Sequence, residues 1–161
     1  DPQLILDIMG KEGLSLNEAT TLLNKHSGLM GVSVVSSDMR EIEIESEKQN
    51  DRARLAFDMF CYRVTKYIGA YAAAMGGVDG IVFTGGIGEN SILVREYVCN
   101  KLGFMGVDFD PEANATGPKE RFITHKSSKT VVGVVPMAIV KGELPPSMQN
   151  MAKNKALDQI N

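Results

Sequence analysis

The sequence predicts an α/β fold from the order of its secondary-structure patterns. Helical patterns occupy roughly the first half of the chain. A short apolar run at residues 78–84 then leads into a glycine-rich segment and another helical pattern, and a second β-branched run follows at residues 130–136. Helices followed by strand, glycine-rich segment, helix, loop and strand are typical of α/β proteins.

Two amphipathic helices are predicted at the start of the sequence. Pro2 lies at a first helical position, and the pattern that follows ends near residues 10–13. Ser15 and Glu18 have the spacing of a capping box, in which each side chain accepts a hydrogen bond from the other residue's backbone N–H. The helix that this box opens should stop near Gly28.

A longer helical region is predicted next. Either Ser36 or Ser37 can cap a helix, and the polar run 45–51 should break it or form a solvated turn. Apolar side chains then recur at the spacing of one helical face. They are Phe57, Phe60, Cys61, Val64, Ile68, Tyr71 and Met75. This helix should end at the glycine pair 76–77.

The second half of the chain alternates between apolar and polar elements. Residues 78–84 predict a buried strand, residues 110–119 a surface loop and residues 130–136 a second strand. Residues 91–102 predict a helix between them. Its inner face is expected to carry Leu93, Val94, Tyr97, Val98 and Leu102.

Composition excludes several classes of function. The 161 residues are enough for one domain, and the net charge of −3 comes from interspersed acidic and basic residues. We therefore expect no nucleic-acid partner, because no basic stripe is present. We also expect no membrane association, because no apolar run has the length of a membrane span and no signal-peptide pattern opens the chain.

The two cysteines indicate the cellular compartment, and the first residues indicate where the chain comes from. Cys61 and Cys99 lie in apolar helical patterns without a CxxC spacing, which predicts buried free thiols in a reducing cytoplasm. The chain starts at Asp1 without an initiator Met and enters a helical pattern almost at once. We therefore expect it to come from the middle of a longer protein.

The most informative feature is the Gly-rich segment, Gly85–Asn90, which follows the predicted strand and precedes a helical pattern. Glycines admit close approach of a ligand to the backbone, and a helix N-terminus attracts anions. The segment matches neither the P-loop nor the G-x-G-x-x-G pattern. From these residues alone, a nucleotide site and a simple tight corner both remain open.

Four blocks of sequence resemble the acetate kinase family. Residues 82–91, together with Val94 and Arg95, resemble the second signature of that family. The other blocks agree in order and spacing. They are residues 27–31 with 36–40, residues 62–71 and residues 77–80. The resemblance covers roughly residues 1–136, and four collinear blocks make it far more specific than the glycines alone.

The resemblance implies a fold and an activity. It implies an actin-like, ribonuclease H-like ATPase domain with a mixed sheet flanked by helices, which is the C-terminal half of a two-domain kinase. The family transfers the γ-phosphoryl group of ATP to acetate with Mg²⁺, giving ADP and acetyl phosphate. Residues 1–161 would form a single nucleotide-binding domain that diverges from about residue 137, with the N-terminal domain absent. This half would also carry most of the homodimer interface.

The resemblance assigns the first part of a nucleotide site to residues 38–40. Asp38 and Arg40 match positions that hydrogen-bond the nucleoside, and Met39 matches a side chain that packs near the base. The alternative is that Asp38 is an acidic residue at a helix N-terminus and Arg40 a surface charge.

The Gly-rich segment would supply the second part of the site. Gly86, Ile87 and Asn90 match positions on the adenine and ribose side of the pocket, and glycines at 85 and 88 allow close approach. Asn90 is alternatively the N-cap of the following helix. Glu89 is expected to orient the segment or cap it rather than to touch the ligand.

No catalytic residue is expected in this chain. The resemblance places the acetate pocket, the catalytic histidine and arginine and further phosphate contacts in the N-terminal half of the family. His26 and His125 match no catalytic position and are expected at the surface. Lys66, Tyr67 and Tyr71 are expected in the core or an interface.

The metal site of the family is not reproduced in the sequence. After Pro136 the family usually continues Thr-Asn-Glu-Glu, but this chain continues Met-Ala-Ile-Val. Ile139 offers no oxygen ligand to Mg²⁺, so no metal ligand is predicted here. Glu143 is the weak candidate, and it would need an insertion of a few residues to take that role.

Three functional interpretations follow. In the leading one, the chain supplies the ATP/ADP pocket and dimer interface of an acetate kinase and is inactive alone. In the second, the parent enzyme is a propionate or butyrate kinase. In the third, the chain is a non-catalytic module for dimerisation or nucleotide binding, which the departure after Pro136 favours.

Overall fold

The computed structural model describes residues 2–137. The chain divides into two compact units, residues 1–60 and the residues from 61 onward, and each is described by itself. No helix within residues 2–137 is both long enough and apolar enough to cross a membrane.

The first unit consists of helices in its described residues. They are α1 (Pro2–Glu12), α2 (Leu16–Lys25), α3 (Gly28–Ser33), α4 (Met39–Glu47) and the first part of α5 (Asp51–Met75). The bounds of α1 and the capping box of α2 confirm the predictions, since Ser15 N–H donates to Glu18 at 2.8 Å and Glu18 N–H donates to Ser15 Oγ at 3.3 Å. The turn between α4 and α5 falls within the predicted polar run.

The N-cap of α4 differs from the prediction. Asp38, not Ser36 or Ser37, caps the helix, and its carboxylate accepts the backbone N–H of Arg40 at 2.9 Å. Ser36 Oγ instead accepts the N–H of Asp38 at 3.0 Å. The hydroxyl of Ser36 therefore orders the chain before the helix. The carboxylate of Asp38 accepts a backbone N–H of the first turn, which has no partner within the helix.

The second unit contains a three-stranded mixed sheet in its described residues. Strand β3 (Val131–Val134) lies between β1 (Gly80–Phe83), to which it is parallel, and β2 (Arg121–Phe122), to which it is antiparallel. Gly80 pairs with Val131 and Phe83 with Val134, so the strand order is β1-β3-β2. The predicted strands at 78–84 and 130–136 are both present in shortened form.

The other described elements of this unit are helical. They are the end of α5, α6 (Gly85–Asn90), α7 (Ile92–Lys101) and α8 (Pro111–Ala115), with a 3-10 turn at Gly103–Met105. As predicted, α5 ends at Met75 before the glycine pair. The core of the unit includes Val94, Val98, Leu102, Ile123, Val132, Val134 and Val135. Cys61 and Cys99 are buried free thiols, as the sequence predicts.

Several predictions for this unit were wrong in detail. β1 is only partly buried: Phe83 is 8% exposed, but Val82 is on the opposite face of the strand and is 44% exposed. Leu93 is exposed, and Arg95 and Cys99 take buried positions on α7. The predicted loop at 110–119 contains α8, whose N-cap Asp110 accepts the N–H of Ala113 at 3.0 Å.

Candidate nucleotide site

The Gly-rich segment lies directly after the carboxyl end of β1. Thr84 is extended, and Gly85, the first residue of α6, adopts a left-handed φ of 74°. The segment is therefore helical itself, and it does not form a loop before a helix as the sequence suggested. Its position at a strand end matches the usual place of ligand sites in α/β sheets.

The three glycines of the segment are required for different reasons. Gly85 has a φ that other residues rarely adopt. At Gly88 a Cβ would come within 3.2 Å of the carbonyl carbon of Phe83, so α6 packs too closely on the end of β1 for a side chain. At Gly86 a Cβ would have nothing within 4 Å. The backbone conformation therefore explains the glycine at 85 and close packing explains the glycine at 88, but neither explains the glycine at 86.

Asn90 and Ile87 lie on the last turns of α6. Asn90 is exposed, and its Nδ2 donates to the carbonyl oxygen of Gly86 at 2.7 Å. The alternative interpretation of Asn90 as an N-cap was wrong, because Ser91 caps α7 through a 3.0 Å hydrogen bond from the N–H of Val94. Ile87 is partly exposed, so its side chain can still offer an apolar contact.

Thr84 carries an unsatisfied hydroxyl that sequence reasoning missed. Its Oγ1 is buried and has no hydrogen-bond partner among the residues that the structure describes. A buried hydroxyl without a partner costs free energy, so such an atom marks a place where a ligand or an ordered water completes the structure. The only sequence signal for it was its position between the strand and the first glycine.

Arg95 was quoted within a sequence block, but no role was predicted for it. Its side chain is 0% exposed, and it hydrogen-bonds both α6 and α8. A usable signal was present in the sequence, because Arg95 lies one turn before Cys99 on a helix face that is otherwise apolar.

Glu89 joins the Gly-rich segment to the chain after β3. Its carboxylate accepts the backbone N–H of Met137 at 2.6 Å. The methyl group of Met137 lies 3.4 Å from the position of a Cβ at Gly85. The residues at which the sequence departs from the family pattern therefore begin against the Gly-rich segment.

Residues 38–40 form a compact polar cap in the first unit. Arg40 donates from Nε and Nη2 to the two carboxylate oxygens of Asp38, at 3.1 and 2.5 Å. These hydrogen bonds lower the pKa of Asp38 from 3.8 to about 2 and raise the pKa of Arg40. The side chain of Arg40 is 82% exposed and can meet a ligand, whereas Met39 is only 3% exposed.

The predicted site residues thus fall into two groups, one in each unit. Within the second unit, the structure brings together the residues of the Gly-rich segment with Thr84, Arg95 and Met137. Within the first unit, it joins Asp38 to Arg40. The nucleotide-binding role of either group stays a prediction.

The described residues provide no evident metal cluster. Within residues 2–137 no three His, Cys, Asp or Glu side chains lie together in a way that could hold an ion. Glu143 lies outside the described residues. His26 and His125 are exposed, as predicted, and His125 Nδ1 lies 3.4 Å from the carboxylate of Asp110.

Comparison with known proteins identifies the relatives of the chain. The model of the Acetokinase family matches residues 1–139. An acetate kinase of Symbiobacterium thermophilum is 56% identical over 136 residues, and one of Halothermothrix orenii is 52% identical. Each match covers 84% of this chain but 34% of the relative, so the chain spans about a third of the length of these relatives.

Solved structures show the same relationship. The crystal structure of Porphyromonas gingivalis acetate kinase superposes with a TM-score of 0.78 at 51% identity, covering 84% of this chain and 34% of that one. A propionate kinase from Francisella tularensis gives 0.75 at 36% identity, again covering 84% and 34%. The architecture described above is therefore the actin-like ATPase fold of these kinases.

Proposed function

The chain belongs to the Acetokinase family, and on this premise we propose that it forms the nucleotide-binding part of an acetate kinase. The complete enzyme would transfer the γ-phosphoryl group of ATP to acetate, reversibly, and release ADP and acetyl phosphate. Both units would belong to one nucleotide-binding domain whose sequence departs from the family from about residue 137. The identities of 50–56% to proteins named acetate kinase support this assignment.

The open position at Gly86 is the observation that carries the proposal. Its φ is not left-handed, and a Cβ there would meet no atom within 4 Å. Nothing inside the described protein therefore requires a glycine at this position. A flat ligand that lies against the backbone would require one.

The residues around Gly86 fit a purine nucleoside. Ile87 would contact the apolar face of the base, and the Asn90 amide offers both a donor and an acceptor. The buried Thr84 hydroxyl would gain the partner that it lacks among residues 2–137. ATP supplies the transferred group, and these residues bind and orient it.

In the first unit, residues 38–40 are also proposed to contact a nucleoside. The exposed guanidinium of Arg40 is held in place by the carboxylate of Asp38 at 2.5 Å. A fixed guanidinium can donate to ribose or stack on a base with little loss of side-chain entropy. The resemblance also assigns Met39 to the site, but its side chain is only 3% exposed.

The acceptor is proposed to be acetate and not a longer acid. The Francisella tularensis propionate kinase is 36% identical to this chain, compared with 51–56% for the acetate kinases named above. No residue of this chain is assigned to the acid pocket, so the acid is inferred from the relatives.

The proposed reaction uses Mg²⁺, which proteins usually hold through one or two carboxylates, waters and the phosphates of the substrate. Within residues 2–137 no three His, Cys, Asp or Glu side chains cluster, and no ligand of the ion is assigned to these residues. The carboxylate of Glu89, adjacent to the proposed site, already accepts the N–H of Met137. No catalytic step is therefore assigned to Mg²⁺.

A homodimer through this part of the protein is also proposed. The second-unit portion of α5 exposes Tyr62, Tyr67, Tyr71 and Met75. Tyr67 and Tyr71 stack with ring centroids 6.2 Å apart, and Arg63 lies 5.8 Å from the ring of Tyr67. Exposed tyrosines with arginine are typical of interfaces. Lys66, Tyr67 and Tyr71 were expected in the core or an interface, and all three are exposed and do not form the core.

The cytoplasm is the compartment that we propose for this protein. Its two cysteines are both buried and unpaired with each other. Free thiols in this state are typical of reducing compartments.

Calorimetric titration of the 161-residue chain with ADP tests the nucleotide site. We expect heat with the wild type and a loss of affinity of about tenfold or more in Gly86→Val, because the valine side chain would occupy the space of the base. Gly10→Val is the matched control, since Gly10 is also a helical glycine with nothing within 4 Å of its Cβ position. Equal affinity in Gly86→Val and wild type would overturn the assignment.

A non-catalytic module remains the second candidate, and the sequence after Pro136 favours it. A wild-type chain that gives no heat with ADP and still dimerises would support this candidate. Acetyl phosphate formation by the chain alone is not expected, because no catalytic residue is assigned to it.

A further inference from the structure

Arg95 is a fully buried charged side chain that contacts the Gly-rich segment. It lies on the first turn of α7 and is 0% exposed. Its Nη1 donates to the carbonyl oxygens of Gly88 at 2.9 Å and Glu89 at 2.8 Å. Its Nε donates to Asn114 Oδ1 at 2.7 Å, and its Nη2 donates to the carbonyl oxygen of Asn114 at 3.2 Å.

The Gly-rich segment needs such support from outside. A six-residue helix with three glycines has almost no intrinsic tendency to form. The last carbonyl groups of any helix also lack partners within the helix. At Gly88 and Glu89 those partners come from one guanidinium group, which places positive charge at the helix C-terminus, where it is favourable.

We propose that Arg95 is a positioning residue that holds the Gly-rich segment in the shape that binds nucleotide. This inference rests on the function proposed above. Arg95 would not touch the nucleotide. It would fix the backbone of α6 from its buried side, so that Gly86 stays open to the ligand.

The opposite side of the guanidinium is anchored by Asn114. This residue is buried in α8, and its Nδ2 donates to the carbonyl oxygen of Ile92 at 3.1 Å. The amide is therefore held by α7 and in turn holds Arg95. Only the planar guanidinium of arginine can donate at once to the Asn114 amide oxygen and to the carbonyl oxygens of Gly88 and Glu89. A lysine side chain carries a single compact ammonium group instead.

Arg121 provides a matched control. Its Nη2 donates to the same carbonyl oxygen of Asn114 at 2.8 Å, and its other hydrogen bonds go to Ala113 and Pro118. It therefore shares the anchor of Arg95, but none of these hydrogen bonds reaches the Gly-rich segment. A general weakening of α8 would affect Arg121→Lys and Arg95→Lys alike.

The test measures amide hydrogen exchange of residues 84–91 and ADP affinity in the full chain. In Arg95→Lys we expect exchange in these residues to rise on the order of tenfold and ADP affinity to fall by a similar factor. In Arg121→Lys both should stay within about twofold of the wild type. Unchanged exchange at residues 84–91 in a folded Arg95→Lys would overturn the proposal, as would equal increases in both variants.

Failure of the proposed function is distinguishable from failure of this inference. If the wild-type chain gives no heat with ADP, the nucleotide site is wrong, and the exchange data alone decide whether Arg95 sets the shape of the segment. If Arg95→Lys does not fold, NMR of the wild type decides instead. Separate, slowly rotating Nη signals for Arg95 are expected, and averaged signals would overturn the proposal.

Discussion

The carboxylate of Glu89 accepts a 2.6 Å hydrogen bond from the backbone N–H of Met137, 48 residues further along the chain. The bond ties the end of α6 to the residues that follow β3. The carboxylate of Glu89 is thereby engaged between two segments of the protein. In the proposed site, Glu89 would orient the Gly-rich segment rather than contact the nucleotide.

Glu89→Ala should lower the free energy of unfolding by about 1 kcal/mol, because the Met137 N–H loses a charged acceptor. Glu89→Gln should lose less, since its amide oxygen can still accept the bond. Urea denaturation measures both. Glu96→Ala is the control, because Glu96 is an exposed glutamate on α7. Equal stabilities for Glu89→Ala and Glu96→Ala would contradict the assigned role.

Gly88→Ala and Gly86→Ala should change stability in opposite directions. At Gly88 a Cβ would lie 3.2 Å from backbone of Phe83, so the variant should lose about 1–2 kcal/mol of unfolding free energy. At Gly86 the Cβ has open space, and the variant should gain about 0.5 kcal/mol from reduced backbone entropy of the unfolded chain. Urea denaturation of the pair tests this contrast. A stable Gly88→Ala would show that α6 can move away from β1.

Asp38 should make stability depend on pH in the acid range. Its pKa is lowered to about 2 in the folded protein, so the stabilisation is complete above the unfolded value near 3.8 and is lost as the pH falls through about 2. Asp38→Asn keeps an N-cap acceptor but removes the charge. Between pH 5 and pH 2 the wild type should therefore lose more stability than Asp38→Asn.

Two measurements check the Asp38 prediction. Urea denaturation across this pH range compares the wild type with Asp38→Asn, and Asp7→Asn on the exposed face of α1 serves as a control for removing one carboxylate. Carbon NMR of the Asp38 carboxyl gives the titration midpoint directly. A midpoint at the ordinary 3.8 would show that the bond to Arg40 does not persist in solution.

Cys99 should be unreactive towards thiol reagents in the folded protein. Burial raises its pKa to about 12 even though the nearby positive charge of Arg95 acts to lower it, so almost no thiolate exists at pH 8. We expect neither cysteine to react with an aromatic disulfide reagent in buffer and both to react in urea. In the Cys61→Ser variant, any labelling of the folded protein must occur at Cys99. Rapid labelling of this variant would contradict the burial of Cys99.

Local signals in the sequence were sufficient for most helix bounds. Ser15 and Glu18 set the start of α2 because a capping box involves only residues three apart. The end of α5 at Met75 follows from the two glycines after it. The predicted cap of α4 was wrong because Ser36 and Ser37 directly precede Asp38, and the sequence does not show which of these neighbouring oxygens reaches the first turn.

Elements that depend on distant partners were not predictable in this way. Strand β2 has two residues and no periodic pattern, and it exists because β3 offers it an edge. The burial of β1 was overestimated because an apolar run does not reveal whether both faces of the strand are covered. Leu93 was placed inside for a related reason, since the direction of the core around α7 is set by α8 and the sheet.

For the candidate site, the amino-acid sequence alone determined the family and the identity of the Gly-rich segment, because short blocks of residues and their order along the chain are sufficient for both. Only the tertiary structure decided what each residue does there. In the folded protein there is open space at Gly86, whereas Gly88 packs against the backbone of Phe83. The Thr84 hydroxyl is buried without a hydrogen-bond partner among the described residues, and the buried guanidinium of Arg95 donates to carbonyl groups of α6. These roles depend on which atoms lie within a few ångströms of one another, and such distances arise only when segments far apart in the chain pack together.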